Sequence, residues 1–236
     1  MTEQKAEMLR NVTAREHSII KNVYLWMTAA LAITAAVSYG VASSPSLMNV
    51  FLGSSAGLLL LIVAQFVIVF FLSARLDKMS QSAAIATFLA YSVVNGIMFS
   101  TLFYAYSLGT IYKAFFSATL MFAGMSVYAM TTKRDLNSWG YYLTVSLWGL
   151  VIASLMNMFF HSSGMDYILS FIGIGIFLGL TAWDTQKMVR VNDQYGYNMD
   201  EETYTKVSVV FALSLYLDFL NIFLYLLRLF GRNDRN

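Results

Sequence analysis

The sequence predicts an all-α membrane protein whose last helix lies at the centre of the others. Of the 236 residues, 58% are hydrophobic and only 12% are charged, whereas roughly 25% are charged in soluble domains. Seven apolar runs, each long enough to cross a bilayer as a helix, lie near 22–42, 47–72, 80–106, 110–131, 139–161, 167–190 and 207–230. The last run carries an ionisable residue near its middle, Asp218, which hydrocarbon cannot solvate.

The stretch from Lys206 to Gly231 sets the expected packing of the other helices. Its polar side chains recur at heptad spacing and form what we call the polar stripe: Ser214, Asp218, Asn221, Tyr225 and Arg228. A carboxylate or amide that faced lipid would lose its water without gaining a partner. We therefore expect the polar stripe to face other helices and to be shielded from lipid, with Phe219 and Leu226 on less shielded faces.

The chain is expected to form one membrane domain, 22–231, between a polar N-terminal tail, 1–21, and a basic C-terminal tail, 232–236. The first apolar run is too long for the core of a signal peptide, so we interpret it as a retained span. The sequence contains no cysteine and no basic patch of the kind that binds nucleic acid. Gly53 and Gly57, in the second run, have the small-xxx-small spacing that favours close helix packing.

Basic residues predict the orientation in the membrane. They cluster in the N-terminal tail and in the loops after the second, fourth and sixth runs, while the other loops carry almost none. Because cytoplasmic loops are enriched in lysine and arginine, this alternation predicts a cytoplasmic N-terminus. Seven spans then put the basic tail, with Arg232 and Arg235, on the outside. A seventh segment that re-enters the membrane would also explain that tail.

Two acids, Asp184 and Asp218, lie within the apolar runs. The sixth and seventh runs form an antiparallel hairpin, so both residues can be placed by depth. If the sixth helix ends near Asn192 and the seventh enters the membrane near Lys206, their depths differ by about 6 Å at 1.5 Å per residue. If Asp200 instead caps the seventh helix, the offset grows and pairing is expected to fail.

Paired carboxylates in a medium of low dielectric constant would share a proton and titrate as one coupled unit. The alternative is that each acid is satisfied separately by a hydroxyl group, such as that of Ser214 or Thr181. Arg75, at the cytoplasmic end of the second span, either reaches a carboxylate near that boundary or only sets orientation. The two histidines have no third ligand in sight, so no transition-metal site is expected.

Two stretches resemble the signatures of a known family. GLTAWDTQK at 179–187 and SLYLDFLNIFLYLLRLFG at 214–231 are similar to those of the Bax inhibitor, or transmembrane Bax-inhibitor-motif, family, and TTKRDL at 131–136 resembles its bacterial members. The resemblance implies six helices around a central seventh and a pH-dependent calcium leak in a bacterial inner membrane. It also implies that Asp184 and Asp218 form the pH-sensing pair and that Arg75 is a latch.

The resemblance therefore implies a channel, with no catalytic residue and no cofactor. Ca²⁺ would be the permeant ion and would bind only transiently at Asp184 and Asp218. Further candidates for the lining of the ion pathway share oxygen-bearing side chains: Ser214, Asn221 and Tyr225. The expected partners are the lipid bilayer, calcium ions and, in one alternative, a membrane protease or other membrane protein.

Other functions fit the residues less well, with one exception. An intramembrane aspartyl protease would carry Gly-x-Gly immediately before its second aspartate, whereas Leu-Tyr-Leu precedes Asp218. A retinal protein would need a lysine in the last span, and 207–230 contains none. A non-conducting regulator of another membrane protein, such as a quality-control protease, needs only a binding surface. It remains the alternative to the leak channel.

Overall fold

The computed structural model describes the backbone of residues 3–195 and 199–233, and the side chains from Ile19 to Gly231 except those of 73, 77 and 196–198. The side chains of the predicted N-terminal tail up to residue 18, and of the predicted basic tail 232–236, lie outside the described residues. Within the described part, 91% of the residues are helical and there is no strand.

The described helices follow one another with short connections. They are α1 (Glu3–Ala42), α2 (Pro45–Leu52), α3 (Ser55–Arg75), α4 (Gln81–Phe99), α5 (Leu102–Ala105), α6 (Leu108–Thr131), α7 (Asn137–Phe160), α8 (Ser163–Tyr195) and α9 (Glu201–Asn233). Seven segments are long and apolar enough to span a membrane: Ile19–Ala42, Ser55–Leu72, Gln81–Ala105, Leu108–Thr131, Asn137–Phe160, Ser163–Tyr195 and Glu201–Gly231. The prediction of an all-α protein with seven membrane helices is confirmed.

The second apolar run is broken into α2 and α3, whereas the sequence predicts one continuous span. After α2 ends, the hydroxyl of Ser54 accepts a hydrogen bond from Gly57 N at 3.0 Å and so begins α3. A Cβ at Gly53 would collide with Asn49, and a Cβ at Gly57 would lie 2.7 Å from Phe51 O. Both glycines therefore make room for the tight turn between α2 and α3, where Gly57 lies close to the backbone of α2, and their packing against a helix outside this run stays a prediction.

The chain divides into two compact units, and the prediction of a single membrane domain stays a prediction. The first unit consists of Met1–Ala105 with Arg190–Leu213. In it α1 packs closely on α4, since Thr34 Oγ1 donates to Ser92 O at 3.0 Å and a Cβ at Gly96 would lie 2.7 Å from Val37. Small residues at such crossings let helix backbones approach each other.

The second unit consists of Tyr106–Val189 with Ser214–Asn236 and contains both intramembrane acids. Glycines make room for large side chains of neighbouring helices: a Cβ at Gly179 of α8 would lie 2.6 Å from Leu143 of α7. On α9, the ring of Phe219 makes edge-to-face contacts with Phe115 and Phe122 of α6 at centroid distances of 5.6 and 5.7 Å.

Helix α9 is the most enclosed of the seven spans, as predicted: 67% of its most apolar window is buried, against 50% or less in each of the others. It runs without interruption from Glu201 to Asn233, about 50 Å at 1.5 Å per residue. A continuous helix of this length favours a full seventh span over a segment that re-enters the membrane.

The predicted order of burial around α9 is wrong in one respect. Phe219 and Leu226, expected on less shielded faces, are 3% and 5% exposed. In the polar stripe Asp218 is buried, but Asn221 and Tyr225 are only half-buried. Aromatic rings of α6 cover Phe219, whereas the polar stripe is more open than this face everywhere except at Asp218.

Candidate functional site

The segment 179–187 of α8 brings several polar side chains into the second unit. Trp183 lies against Gly140 of α7, where a Cβ would collide with the indole ring. Its indole Nε1 is buried without a hydrogen-bond partner in the described residues. One turn further on, Lys187 Nζ lies over the indole ring, 5.0 Å from its centroid. This cation–π contact also helps to hold the ring in place.

Asp184 is partly buried at this position, one residue after the indole. Its carboxylate interacts electrostatically with the Lys187 ammonium, which lies one turn away on the same helix. Lys187 itself is exposed. The negative charge of Asp184 therefore has a compensating cation on the solvent side, which Asp218 lacks among the described residues.

Asp218 is the most enclosed acid among the described residues of α9. It is 4% exposed, and its Oδ2 atom has no hydrogen-bond partner in the described part of the chain. The charge of Asp184 acts on it, so the two carboxyl groups lie within electrostatic range of each other. A buried oxygen without a donor is costly when it carries charge, and the neighbouring acid adds repulsion.

Thr181 is the hydroxyl that comes within hydrogen-bonding reach of Asp218. Its single hydrogen is already donated to Phe177 O at 2.8 Å. Because a hydroxyl has only one hydrogen but two acceptor positions, Thr181 is best placed to accept from a protonated Asp218. The alternative in which each acid is separately satisfied is therefore met only in part, because the one hydroxyl hydrogen of Thr181 cannot serve Phe177 O and an ionised Asp218 equally well.

Asp200 does cap α9: its side chain accepts from Thr203 N at 3.1 Å, and Glu201 begins the helix. Helix α8 also continues beyond the expected end, to Tyr195. At 1.5 Å per residue, Asp184 lies about 17 Å before the end of α8 and Asp218 about 26 Å after the start of α9. The larger offset, about 9 Å, does not prevent the two acids from interacting electrostatically.

Gln186, which was not among the predicted site residues, clamps the loop between α6 and α7. Its Oε1 accepts from Leu136 N at 2.7 Å and its Nε2 donates to Arg134 O at 2.8 Å. The clamp joins two stretches on which the family resemblance rests, 131–136 and 179–187. A primary amide can bind a backbone N–H and a backbone C=O at the same time. The presence of such a side chain two residues after Asp184 was the only sequence signal that could have indicated the clamp.

The structure places the candidates for the pathway lining on one side of α9, half-buried. Asn221 Nδ2 donates to Leu217 O at 2.8 Å, which aligns the side chain with its own helix and leaves its carbonyl oxygen as an acceptor. Tyr225 is held by packing, because a Cβ at Gly173 would lie 2.6 Å from its ring. Ser214 lies one turn before Asp218.

Arg75 is exposed at the end of α3 and belongs to the first unit. Its guanidinium lies 5.7 Å from the ring centroid of Phe71, one turn earlier on the same helix. A cation in the last turn also stabilises the helix through its dipole. These contacts account for Arg75 as a local stabiliser of α3, and its role as a latch stays a prediction.

Comparison with known proteins identifies the family. The family described as "Inhibitor of apoptosis-promoting Bax1" matches residues 16–235, nearly the whole chain. The chain belongs to the Bax inhibitor family. The resemblance predicted from the two motifs is thereby confirmed, and the protein is a multi-pass membrane protein of the Bax inhibitor family.

Bacterial relatives match over most of their length. The chain is 40% identical over 209 residues to the inner membrane protein YbhL of Escherichia coli strain K12, which covers 89% of each chain. It is 38% identical over 236 residues to a protein of Borreliella burgdorferi, with 99% of each covered. A protein of Deinococcus radiodurans is 39% identical over 237 residues, which covers 99% of this chain and 96% of the relative.

Proposed function

We propose that this member of the Bax inhibitor family is a pH-sensitive calcium leak channel of a bacterial inner membrane, gated by Asp184 and Asp218. The observation that carries the proposal is the state of Asp218, which is buried with an unpartnered oxygen and lies within electrostatic range of a second acid. Intramembrane acids of this kind mark ion pathways and proton relays far more often than they serve packing. As a channel, the protein has no catalytic residue to assign.

The direction of the pH response follows from charge. When both acids are ionised, two negative charges repel each other in a medium of low dielectric constant, where such repulsion is strong. One added proton removes the repulsion and lets a carboxyl group donate a hydrogen bond, with Thr181 placed to accept one. Acidification therefore favours a different packing of α8 and α9, and we expect it to open the pathway.

Calcium suits the available ligands. Ca²⁺ is a hard cation that takes oxygen ligands in flexible geometry. The polar stripe offers oxygens from a carboxylate, an amide and hydroxyl groups along the more open side of α9. Because these groups are neutral apart from Asp218 and Arg228, binding along the stripe is expected to be weak and transient, as conduction requires.

The deciding experiment uses purified protein in liposomes loaded with a calcium dye, at a series of pH values. Wild-type protein should leak more calcium at acidic pH. Asp218→Asn and Asp184→Asn should each flatten the pH dependence, because neither leaves two acids to share a proton. Asp135→Asn, an exposed acid in the loop before α7, is the matched control and should keep the wild-type profile.

The same assay tests the latch. The proposal keeps the role that the resemblance gives to Arg75, so Arg75→Ala should raise the leak at alkaline pH and leave the acidic leak unchanged. Arg134→Ala removes an equal charge elsewhere and should change neither value. Absence of flux at every pH in a folded, monodisperse preparation would refute the channel.

The alternative, a non-conducting regulator of another membrane protein, is favoured by one observation. Helix α7 is only 11% buried over its most apolar window, and Trp148, halfway along it, is 65% exposed. Indole rings usually lie at the membrane surface rather than at mid-depth, so a protein partner would suit this one. A cellular defect caused by Trp148→Ala but not by Asp218→Asn, together with silent liposomes, would support the regulator.

A further inference from the structure

A cavity of about 300 Å³ lies in the second unit where α8 begins and α9 ends. Its polar lining includes two phenols and two hydroxyls, from Tyr106, Tyr167, Ser163 and Ser170, and two opposite charges, Asp166 and Arg228. The volume is at the lower end of small-ligand sites, roughly 300 to 1,000 Å³. It is separate from the acid pair, since Asp166 and Asp184 are about 27 Å apart along α8 at 1.5 Å per residue.

The negative side of the cavity is held rigidly. Asp166 lies in the first turn of α8, where the helix dipole favours a carboxylate. Its Oδ1 accepts from Asn157 Nδ2 at 2.7 Å, and Asn157 Oδ1 in turn accepts from Ser162 N at 3.2 Å. One hydrogen bond uses a small part of the acceptor capacity of a carboxylate, so Asp166 can still bind a cation that enters the cavity.

The positive side is also available. The guanidinium of Arg228 stacks over the ring of Tyr225 at 5.3 Å from its centroid and is exposed. Stacking uses the face of the guanidinium and leaves the N–H groups at its edge, which match a phosphate or carboxylate. Among the described residues, Asp166 and Arg228 line the same cavity but form no ion pair with each other.

We propose that this cavity binds a compound that carries an ammonium group and a phosphate group, as the head group of phosphatidylethanolamine does. The ammonium group binds Asp166, the phosphate binds Arg228, and the phenol of Tyr106 donates a further hydrogen bond to the phosphate. The cavity lies near the ends of two membrane-spanning helices, and we infer from this position that it is close to the lipid head groups. This site does not depend on the proposed channel activity.

Each charge alone is a weak anchor, because both are exposed and exposed ion pairs contribute little. Selectivity therefore needs both charges. An anionic lipid without an ammonium group, such as phosphatidylglycerol, uses Arg228 but gains nothing from Asp166. The site is thus expected to prefer phosphatidylethanolamine over phosphatidylglycerol by about two- to fivefold in retention.

Native mass spectrometry of the full-length protein in detergent, with equal amounts of the two lipids added, tests the preference. Wild-type protein should retain more phosphatidylethanolamine. Asp166→Asn should abolish the preference by lowering retention of that lipid alone, while Arg228→Gln should lower retention of both lipids. Leu229→Trp, which fills the cavity without a change of charge, should also lower both.

Controls of matched charge lie toward the other end of α8. Asp135→Asn and Arg134→Gln make the same changes in the loop clamped by Gln186 and should leave the ratio of the two lipids at its wild-type value. Soluble phosphorylethanolamine distinguishes the source of the ligand: competition with the lipid indicates a free compound, and no competition indicates the lipid itself. An equal ratio in wild-type protein and in all cavity variants would overturn the proposal.

Discussion

The effect of replacing Gln186 on the docking of the loop before α7 can be calculated from its hydrogen bonds. Its two hydrogen bonds, 2.7 Å from Leu136 N and 2.8 Å to Arg134 O, hold the loop before α7. A neutral hydrogen bond contributes about 0.5–1.5 kcal/mol net, so Gln186→Ala should weaken docking of the loop by about 1–3 kcal/mol. That free energy corresponds to an increase of about 5- to 150-fold in the opening equilibrium of the loop.

Hydrogen exchange at the amide of Leu136 is the direct readout, because that amide is the donor in the clamp. In detergent-solubilised protein its exchange should accelerate by the same factor in Gln186→Ala. Gln186→Glu keeps an acceptor for Leu136 N but loses the donor to Arg134 O. It should therefore accelerate exchange by only about 2- to 12-fold.

The matched control is Gln81→Ala, the same substitution at the first turn of α4. It should leave exchange at Leu136 unchanged. The reasoning is refuted if Gln186→Ala changes the exchange rate by less than twofold, or if Gln81→Ala has as large an effect. An equal acceleration at amides throughout the second unit would show general destabilisation rather than loss of a clamp.

Two further predictions concern α8 and α9. Gly173→Ala should lower the free energy of unfolding by about 1–3 kcal/mol, measured by chemical denaturation in detergent, because its new methyl group would lie 2.6 Å from the ring of Tyr225. Gly175→Ala, with no atom within 4 Å, should be neutral or slightly stabilising; destabilisation equal to that of Gly173→Ala would contradict the argument. The hydrogen bond with Thr203 holds the pKa of Asp200 below its ordinary value of about 3.9. Asp200 therefore caps α9 fully above about pH 3.9, and the cap is lost as the pH falls through the lower pKa of the folded protein. Exchange in the first turn of α9, corrected for intrinsic pH effects, should therefore rise at acidic pH, and a similar rise in Asp200→Asn would contradict this.

The number and positions of the spans could be predicted because hydrocarbon permits few alternatives. A run of about 20 apolar residues has to be helical to satisfy its backbone, and the seven runs in the sequence match the seven spans of the structure. The break at Gly53 was missed because the apolar stretches on both sides count as one run across Gly53, Ser54 and Ser55. Only the capping chemistry of Ser54 and the contact of Gly53 with Asn49 define the turn, and both are local.

The site was predictable in its acids and unpredictable in their surroundings. An acid in an apolar run is conspicuous, so Asp184 and Asp218 were found from sequence. The burial of the faces of α9 depends on which neighbours cover them, and heptad spacing contains no such information. For this reason Phe219 was expected to be less shielded than the polar stripe, whereas aromatic rings of α6 cover it.

The break at Gly53 also sets where α3 begins and therefore the length of the second membrane span. Helix α3, Ser55–Arg75, has 21 residues, which at 1.5 Å per residue reach about 32 Å, close to the hydrocarbon thickness of a typical bilayer, about 30 Å. In a thicker membrane the lipids around α3 must thin or its polar ends must be drawn inward, each at some cost per ångström of mismatch. Acyl-chain length in the host membrane is therefore expected to strain this helix before any other span, and short-chain lipids to relieve it.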